Sequence, residues 1–274
     1  MNTPKHLQSP DNESEWVIIF GCGKYGKIAW NHFKGRANVI LLDQDLNALK
    51  NLSDELKIFP KDHIKEALKV LKKLNYPQSR STHRGPKPQE NAQIGLEGGL
   101  NIFSKIIELG IPAYIVPTAP IHIMGNFFKY LLIEKGLKIK NNDLNDFKTS
   151  LQRNKPQNLR YFIEENTAYF SYAPINRSCP ENCVGPEDYC PYHKLKKPKT
   201  VTKFIAQIFS GPRSYLFQSK QLKPGLGAIS GKELQKNLDI LRNLNYETGQ
   251  KIIVSTTCNC HGILERFSIQ SKHF

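Results

Sequence analysis

A doubly wound parallel α/β sheet, followed by a smaller α+β domain with a cysteine-rich loop, is the fold that this 274-residue sequence predicts. Three observations carry the prediction. Apolar runs of strand length at 16–20 and 38–42 flank a glycine-punctuated turn and a helical segment. Strand-like and helix-like stretches then alternate as far as residue 135, a pattern that sets strands in parallel because each crossover needs a helix to return the chain. Five of the six cysteines lie after residue 178, outside that alternating region.

The first domain is the most explicit. WVIIF (16–20) is a continuous apolar run, and GCGKYG (21–26) follows it directly, with Tyr25, Ile28, Ala29 and Phe33 on a helical spacing. NVILL (38–42) is a second buried strand, closed by Asp43. Strand, glycine turn, helix, strand and terminal acid form the context that dinucleotide binding requires. Gly21 permits the tight turn, Gly23 lets backbone approach a pyrophosphate, and Gly26 lets helix and strand pack closely. The helix start at Lys24 and Tyr25 offers N–H groups and a positive dipole end to phosphates. Asp43 can accept hydrogen bonds from ribose hydroxyls and repels a 2′-phosphate, which favours NAD over NADP. A Rossmann-like nucleotide-binding domain over 16–137 is therefore expected, the alternative being the same fold with an empty pocket.

The stretch VIIFGCGKYGKIAWNHFKGRANVILLDQD (17–45) resembles the N-terminal NAD-binding domain of the RCK or TrkA type, found in regulators of potassium transport. The resemblance implies that Gly21, Gly23, Gly26 and Asp43 bind NAD or another adenine nucleotide, with Asp45 matching a second acid of that family.

Beyond it, 45–57 and 61–76 have helical periodicity, while 79–99 carries turn formers and reads as a loop or insertion. A helix at 100–110, a strand at 113–117 and a helix from 121 to 135 complete the domain. Ligands of open α/β sheets bind at the carboxyl ends of strands, so His122 is the candidate acid or base, against a plain helix-start histidine. Cys22, inside the glycine turn, is either a redox-sensitive thiol or a small residue that fits.

Residues 138–160 are polar and are expected to link the domains. The second domain, 161–274, shows strands near 167–173, 214–219, 252–257 and 262–269, with helices at 200–209 and 232–245. The glycine-rich stretch 223–231 reads as a turn into a helix. Cys179, Cys183 and Cys190 are spaced C-x3-C-x6-C, and Cys258 and Cys260 form C-x-C with His261 alongside. Five thiols in this domain, an odd number, in a chain without an export signal argue against a full disulfide framework. If the two groups meet, four thiolates, or three and an imidazole from His193 or His261, would hold an iron–sulfur cluster or zinc; reduced thiols, a reversible disulfide or catalysis are the alternatives. Cys179-Pro180 and Cys190-Pro191 favour the cluster, as Cys-Pro occurs in ferredoxin-type ligand runs.

The net charge of +15 points to anionic partners, and its excess lies at 189–232, where nine basic residues meet no acid. That stretch reads either as a solvated basic face or as a surface for an anionic or acidic protein partner; no nucleic-acid-binding motif is present. Residues 1–15 form a polar tail without the apolar segment of an export signal. The most apolar window, 114–133, is broken by Pro117, Pro120, Asn126 and Lys129, so the chain is expected not to span a membrane and to be cytoplasmic. The functional expectation is a redox-related protein that binds NAD(H) and carries a cysteine-ligated centre. Whether it is an enzyme, an NAD-dependent oxidoreductase, is left open; the alternative is a non-catalytic, RCK-like nucleotide sensor with structural zinc.

Overall fold

The computed structural model describes residues 16–74, 76 and 91–270. The expected tail at 1–15 and the stretch 79–90 of the expected loop lie outside the described residues. The chain divides into two compact units between Thr118 and Ala119.

The amino-terminal unit contains β1 (Trp16–Phe20), α1 (Lys24–Phe33), β2 (Asn38–Asp43), α2 (Leu46–Lys50), β3 (Lys57–Phe59), a 3-10 turn (Lys61–His63), α3 (Ile64–Lys73), β4 (Gln93–Glu97), α4 (Leu100–Leu109) and β5 (Tyr114–Pro117). Its strands are all parallel, in the order β3-β4-β2-β1-β5. Continuous burial of Val17 to Phe20 and of Val39 to Leu42 explains why these strands are apolar at every position rather than at alternate ones. α4 buries Ile102, Phe103, Ile106 and Ile107 on a helical spacing, and the Phe103 ring packs edge-on against Phe20 at 4.7 Å.

Two sequence expectations change here. The helix expected over 45–57 stops at Lys50, where Asn51 caps it, and the chain then returns through β3. The expected loop at 79–99 includes β4, a buried strand lying between β3 and β2. Gly95 in its centre is tightly packed. A Cβ there would meet Leu49 at 3.2 Å and Ile58 at 3.3 Å, and its absence removes one apolar side chain from the strand signal.

The second unit contains α5 (Ile123–Glu134), β6 (Lys138–Asn141), α6 (Asn145–Asn154), β7 (Arg160–Glu164), β8 (Thr167–Ser171), β9 (Tyr189–Cys190), β10 (Leu195–Lys196), α7 (Val201–Ile208), β11 (Ser214–Lys223), β12 (Leu226–Ser230), α8 (Gly231–Asn243), β13 (Lys251–Thr257) and β14 (His261–Gln270). Its sheet runs β12-β11-β13-β14-β8-β7, antiparallel except for β11 beside β13, and the end of β14 also pairs with β6. α6 and α7 cover one face through Leu151, Phe204 and Ile205 against Phe170 and Leu264. α5 covers the other, its Phe128 packing on Tyr215 and Phe217.

Residues 138–160 are thus not a linker. They supply β6, α6 and the first residue of β7, and Leu144, Leu151 and Leu159 are buried in the core. Most of the stretch is polar because β6 is an exposed edge strand and α6 buries few of its residues. The fold is mixed α/β, with parallel strands in the first unit and mostly antiparallel strands in the second. Among the described residues no helix is long and apolar enough to cross a membrane.

Candidate functional site

The glycine turn has the construction its spacing predicts. Gly21 adopts φ +90°, open to glycine without strain. A Cβ on Gly26 would lie 1.9 Å from the Gly21 carbonyl oxygen, so only glycine lets α1 start this close to β1. By contrast, a Cβ on Gly23 would meet nothing within 4 Å. Gly23 is the N-cap of α1, no side chain caps the helix and no acid stands in its first turn, so the negative charge nearest its N-terminal dipole is the Asp43 carboxylate on Cys22 N. Lys24 and Tyr25 are exposed on that turn. Thr118 closes the loop after β5 by donating from Oγ1 to the carbonyls of Phe20 and Gly21.

Asp43 does more than the sequence suggests. One carboxylate oxygen accepts the Cys22 N–H at 2.6 Å and the other accepts the Asp45 N–H at 2.9 Å, so the acid ties the glycine turn to the end of β2. Asp45 in turn caps α2, accepting from Asn47 N at 2.8 Å. Burial and the adjacent Asp43 push the Cys22 thiol up to about 12, the opposite of an activated thiolate. Beside this acid, at the carboxyl ends of β2 and β4, lies a cavity of about 370 Å³ lined by Gln44, Lys61, Glu97, Gly98 and Gly99.

In the second unit the two cysteine groups meet. Cys179 Sγ stands 3.8 Å from Nε2 of both His193 and His261, and Cys183 is close enough to hydrogen-bond it. Cys258 Sγ is 3.8 Å from His261 Nδ1. All six cysteines of the chain are free thiols. Cys183, Cys190 and Cys258 share one local device, a sulfur that accepts a backbone N–H two or three residues downstream: Gly185 N at 3.4 Å, His193 N at 3.4 Å, and Cys260 N and His261 N at 3.5 and 3.3 Å. Such donors stabilise sulfur as thiolate or ligand. Cys260 differs, because its Sγ accepts from the ammonium of Lys197 at 3.1 Å.

Lys197 is only 2 % exposed and also donates to the Pro186 carbonyl. A buried ammonium needs a compensating anion, and a sulfur is its neighbour here. Burial, and secondarily the neighbouring sulfurs Cys183, Cys260 and Cys190, push Cys179 up to about 11. Burial likewise raises Cys260, although Lys197 opposes it, and burial lowers His261. Crowded thiols that resist ionisation lose that resistance when a cation joins them. Among the described residues, no three His, Cys, Asp or Glu side chains already enclose a single metal-sized point.

The loop is held from below by an element that the sequence left as a plain turn. The stretch 223–231 is a hairpin turn followed by β12, and Gly225, at φ +77°, presses against the Glu181 carbonyl where a Cβ would lie at 1.7 Å. Its N–H donates to the Cys183 carbonyl at 3.0 Å, and Asn259 Nδ2 donates to the Gly185 carbonyl at 2.8 Å.

His122 is taken up elsewhere. It caps α5 at 4 % exposure, with Nε2 3.0 Å from Thr256 Oγ1 and Nδ1 3.5 Å from Glu265. Glu265 is also buried and pairs with Lys129 at 2.6 Å. The candidate acid or base therefore faces protein groups in a closed ionic network rather than a cleft.

Comparison with known proteins places these features. A family described as "Uncharacterized protein, C-terminal domain" (AF_1314_C) matches residues 129–270, just over half of the chain. The chain belongs to this family. A protein of Archaeoglobus fulgidus, described as uncharacterized, is 29 % identical over 250 residues, covering 90 % of this chain and 96 % of the relative. No solved structure matches.

The AF_1314_C segment contains all five clustered cysteines, Lys197 and Glu265, but neither the glycine turn nor His122. The RCK or TrkA resemblance is corrected by this result: the family that matches is AF_1314_C, and no RCK, TrkA or Rossmann family does. The likeness rested on one strand–turn–helix–strand unit, which is common to nucleotide-binding sheets of many functions. Two further residues escaped sequence reasoning. Lys197 sits in a lysine run that reads as solvated surface; Glu265 was detectable only as a charged pair, Glu265-Arg266, inside an apolar strand.

Proposed function

We propose that the protein is a cytoplasmic, NAD(H)-binding redox protein whose second unit carries a cysteine-ligated iron–sulfur centre. The observation that carries this reading is that Cys179 and Cys258, 79 positions apart in sequence, approach the same His261 imidazole, with Cys183 and Cys190 beside Cys179. Those four would be the ligands. Cys260 would stand beside them, paired with Lys197, whose charge offsets the negative charge of the thiolates. The backbone donors at Gly185, His193, Cys260 and His261 hold the sulfurs in place and withdraw charge from them. Bound there, a cluster would supply one-electron transfer.

The nucleotide part of the proposal reads the amino-terminal unit as a doubly wound, Rossmann-like domain. Its support is the parallel pair β1 and β2, the open Gly23 at a helix start, and the carboxylate at the end of β2. Asp43 retains acceptor capacity for a ribose hydroxyl beside its two backbone bonds. Calorimetry with NADH and NADPH tests this, with NADH preferred; equal affinities or no binding would sink it. An acidic protein partner for the basic stretch 189–232 belongs to the same proposal, with one revision: Lys197 faces inward and is not part of that surface.

Structural zinc is the second reading, favoured by one observation. The Cys179 sulfur lies 3.8 Å from two imidazole nitrogens, near the separation of about 3.6 Å that sulfur and nitrogen ligands take on one tetrahedral zinc. Metal and sulfide content after anaerobic purification separates the two. Iron with acid-labile sulfide supports the cluster, and one zinc without sulfide supports the alternative.

A further inference from the structure

Outside the cysteine centre, the second unit carries a groove of about 690 Å³ along the free edge strand β7. That volume falls within the roughly 300–1,000 Å³ typical of small-molecule sites, and the character of the walls matches them: mostly apolar, with a few polar groups. Opposed residues of antiparallel strands share a face, so Arg160, Ser171 and His261 form one row across β7, β8 and β14, and Phe162, Tyr169 and Ile263 form the next.

Phe162 and Tyr169 are exposed, at 62 % and 42 %, and stack with ring centres 6.2 Å apart and planes inclined by 27°, so the pair presents an aromatic platform. Pro174 and Ile175 form an apolar wall, and Ile175 is 73 % exposed. Three cations line the groove, Lys155, Arg160 and Arg177, and no carboxylate does. Among the described residues, neither Arg160 nor Arg177 has an ion-pair partner. Glu164, the next residue on that face of β7, lies outside the lining.

We propose that this groove binds a planar heteroaromatic ring bearing a phosphate or carboxylate, with the ring on the Phe162–Tyr169 platform and the anion on Arg160 and Arg177. Charge complementarity selects the anion, and the platform selects the ring, since exposed aromatic side chains stack favourably with planar heteroaromatic rings. The row Arg160–Ser171–His261 places the groove next to the cysteine centre, because the His261 ring stands 3.8 Å from Cys179 Sγ. Binding in the groove does not depend on that centre being loaded.

Quenching of flavin fluorescence by the full-length protein tests the proposal, with flavin mononucleotide and riboflavin as probes that share a ring and differ by the phosphate, and with AMP as competitor. Saturable binding of flavin mononucleotide is expected, about tenfold tighter than riboflavin. It should weaken about tenfold in Phe162→Ala and in Arg160→Gln/Arg177→Gln, positions exposed enough for the variants to fold. No saturable binding of flavin mononucleotide or AMP would overturn the proposal. So would binding that survives the groove variants but falls with Gly23→Ala in the other unit, or capture of a single-stranded oligonucleotide that flavin mononucleotide does not displace. Metal content, measured separately, reports on the cysteine centre whichever way the groove behaves.

Discussion

The glycine turn and the cysteine centre are built in opposite ways. The turn is contiguous: Gly21, Gly23 and Gly26 with Asp43 span 23 residues, and local backbone geometry positions them. The cysteine centre is assembled from a loop at 179–197 and a strand end at 258–261, brought together by β8 pairing with β14 and by the clamp of Gly225. A local site can be read from spacing because the chain between its members is short and regular. A composite site depends on strand order, which no local pattern encodes.

Perturbations that separate the two sites sharpen this contrast. Cys183→Ser should have the largest effect, removing most of the bound metal and the thermal stability it confers on the second unit, because ligand loss forfeits binding energy linked to folding. Metal analysis and thermal melts check it. The amino-terminal unit should respond to a core deletion instead: Phe103→Ala is expected to cost about 3–5 kcal/mol. Both tryptophans, Trp16 and Trp30, lie in that unit, so their fluorescence in a denaturant titration reports its loss, while metal content should be unchanged.

Lys197→Met keeps the volume but leaves the Pro186 carbonyl and Cys260 without their donor, and is expected to cost about 3 kcal/mol, read as a lower denaturation midpoint. Gly26→Ala and Gly23→Ala form a matched pair. The first forces a methyl onto the Gly21 carbonyl and should destabilise by about 1–3 kcal/mol. The second meets open space and loses only the N-cap preference for glycine over alanine, so stability should change by less than about 1 kcal/mol. Its NADH affinity should nonetheless fall at least about tenfold, since the added Cβ lies where a pyrophosphate would approach. Equal NADH affinity in Gly23→Ala and wild type would break the nucleotide reading.

The smallest effect is a pH dependence. Burial pushes the Glu265 carboxyl up, but His122 and Lys129 together outweigh it and hold it below its ordinary value of 4.5. A depressed folded-state value means the network's contribution is present above pH 4.5 and is lost as pH falls through the lowered value. Melting midpoints of wild type should therefore drop below pH 4.5 more steeply than those of Glu265→Gln.

How much was legible follows the same division. The stretch from β1 through Asp43 was read correctly from its apolar runs and glycines. β4 was not, because Gly95 removes the central side chain and the flanking glycines imitate a loop. β6 and α6 were mistaken for a linker, since an edge strand and a helix with few buried residues leave a polar record. The five cysteines were visible as two groups, whereas their meeting required the pairing of Ser171 with His261, and the partner of His122 required Glu265 to arrive 143 positions later. Lys197 left no trace, as charge alone does not distinguish the one lysine of a run that turns inward.

The central claim is a metal-bearing cysteine centre, and the most direct measurement is iron, acid-labile sulfide and zinc per chain in protein purified without oxygen, for wild type and Cys183→Ser. The account predicts brown wild-type protein with iron and sulfide, both largely lost in the variant. Protein that binds no metal even after anaerobic reconstitution, or equal metal in both chains, would contradict it.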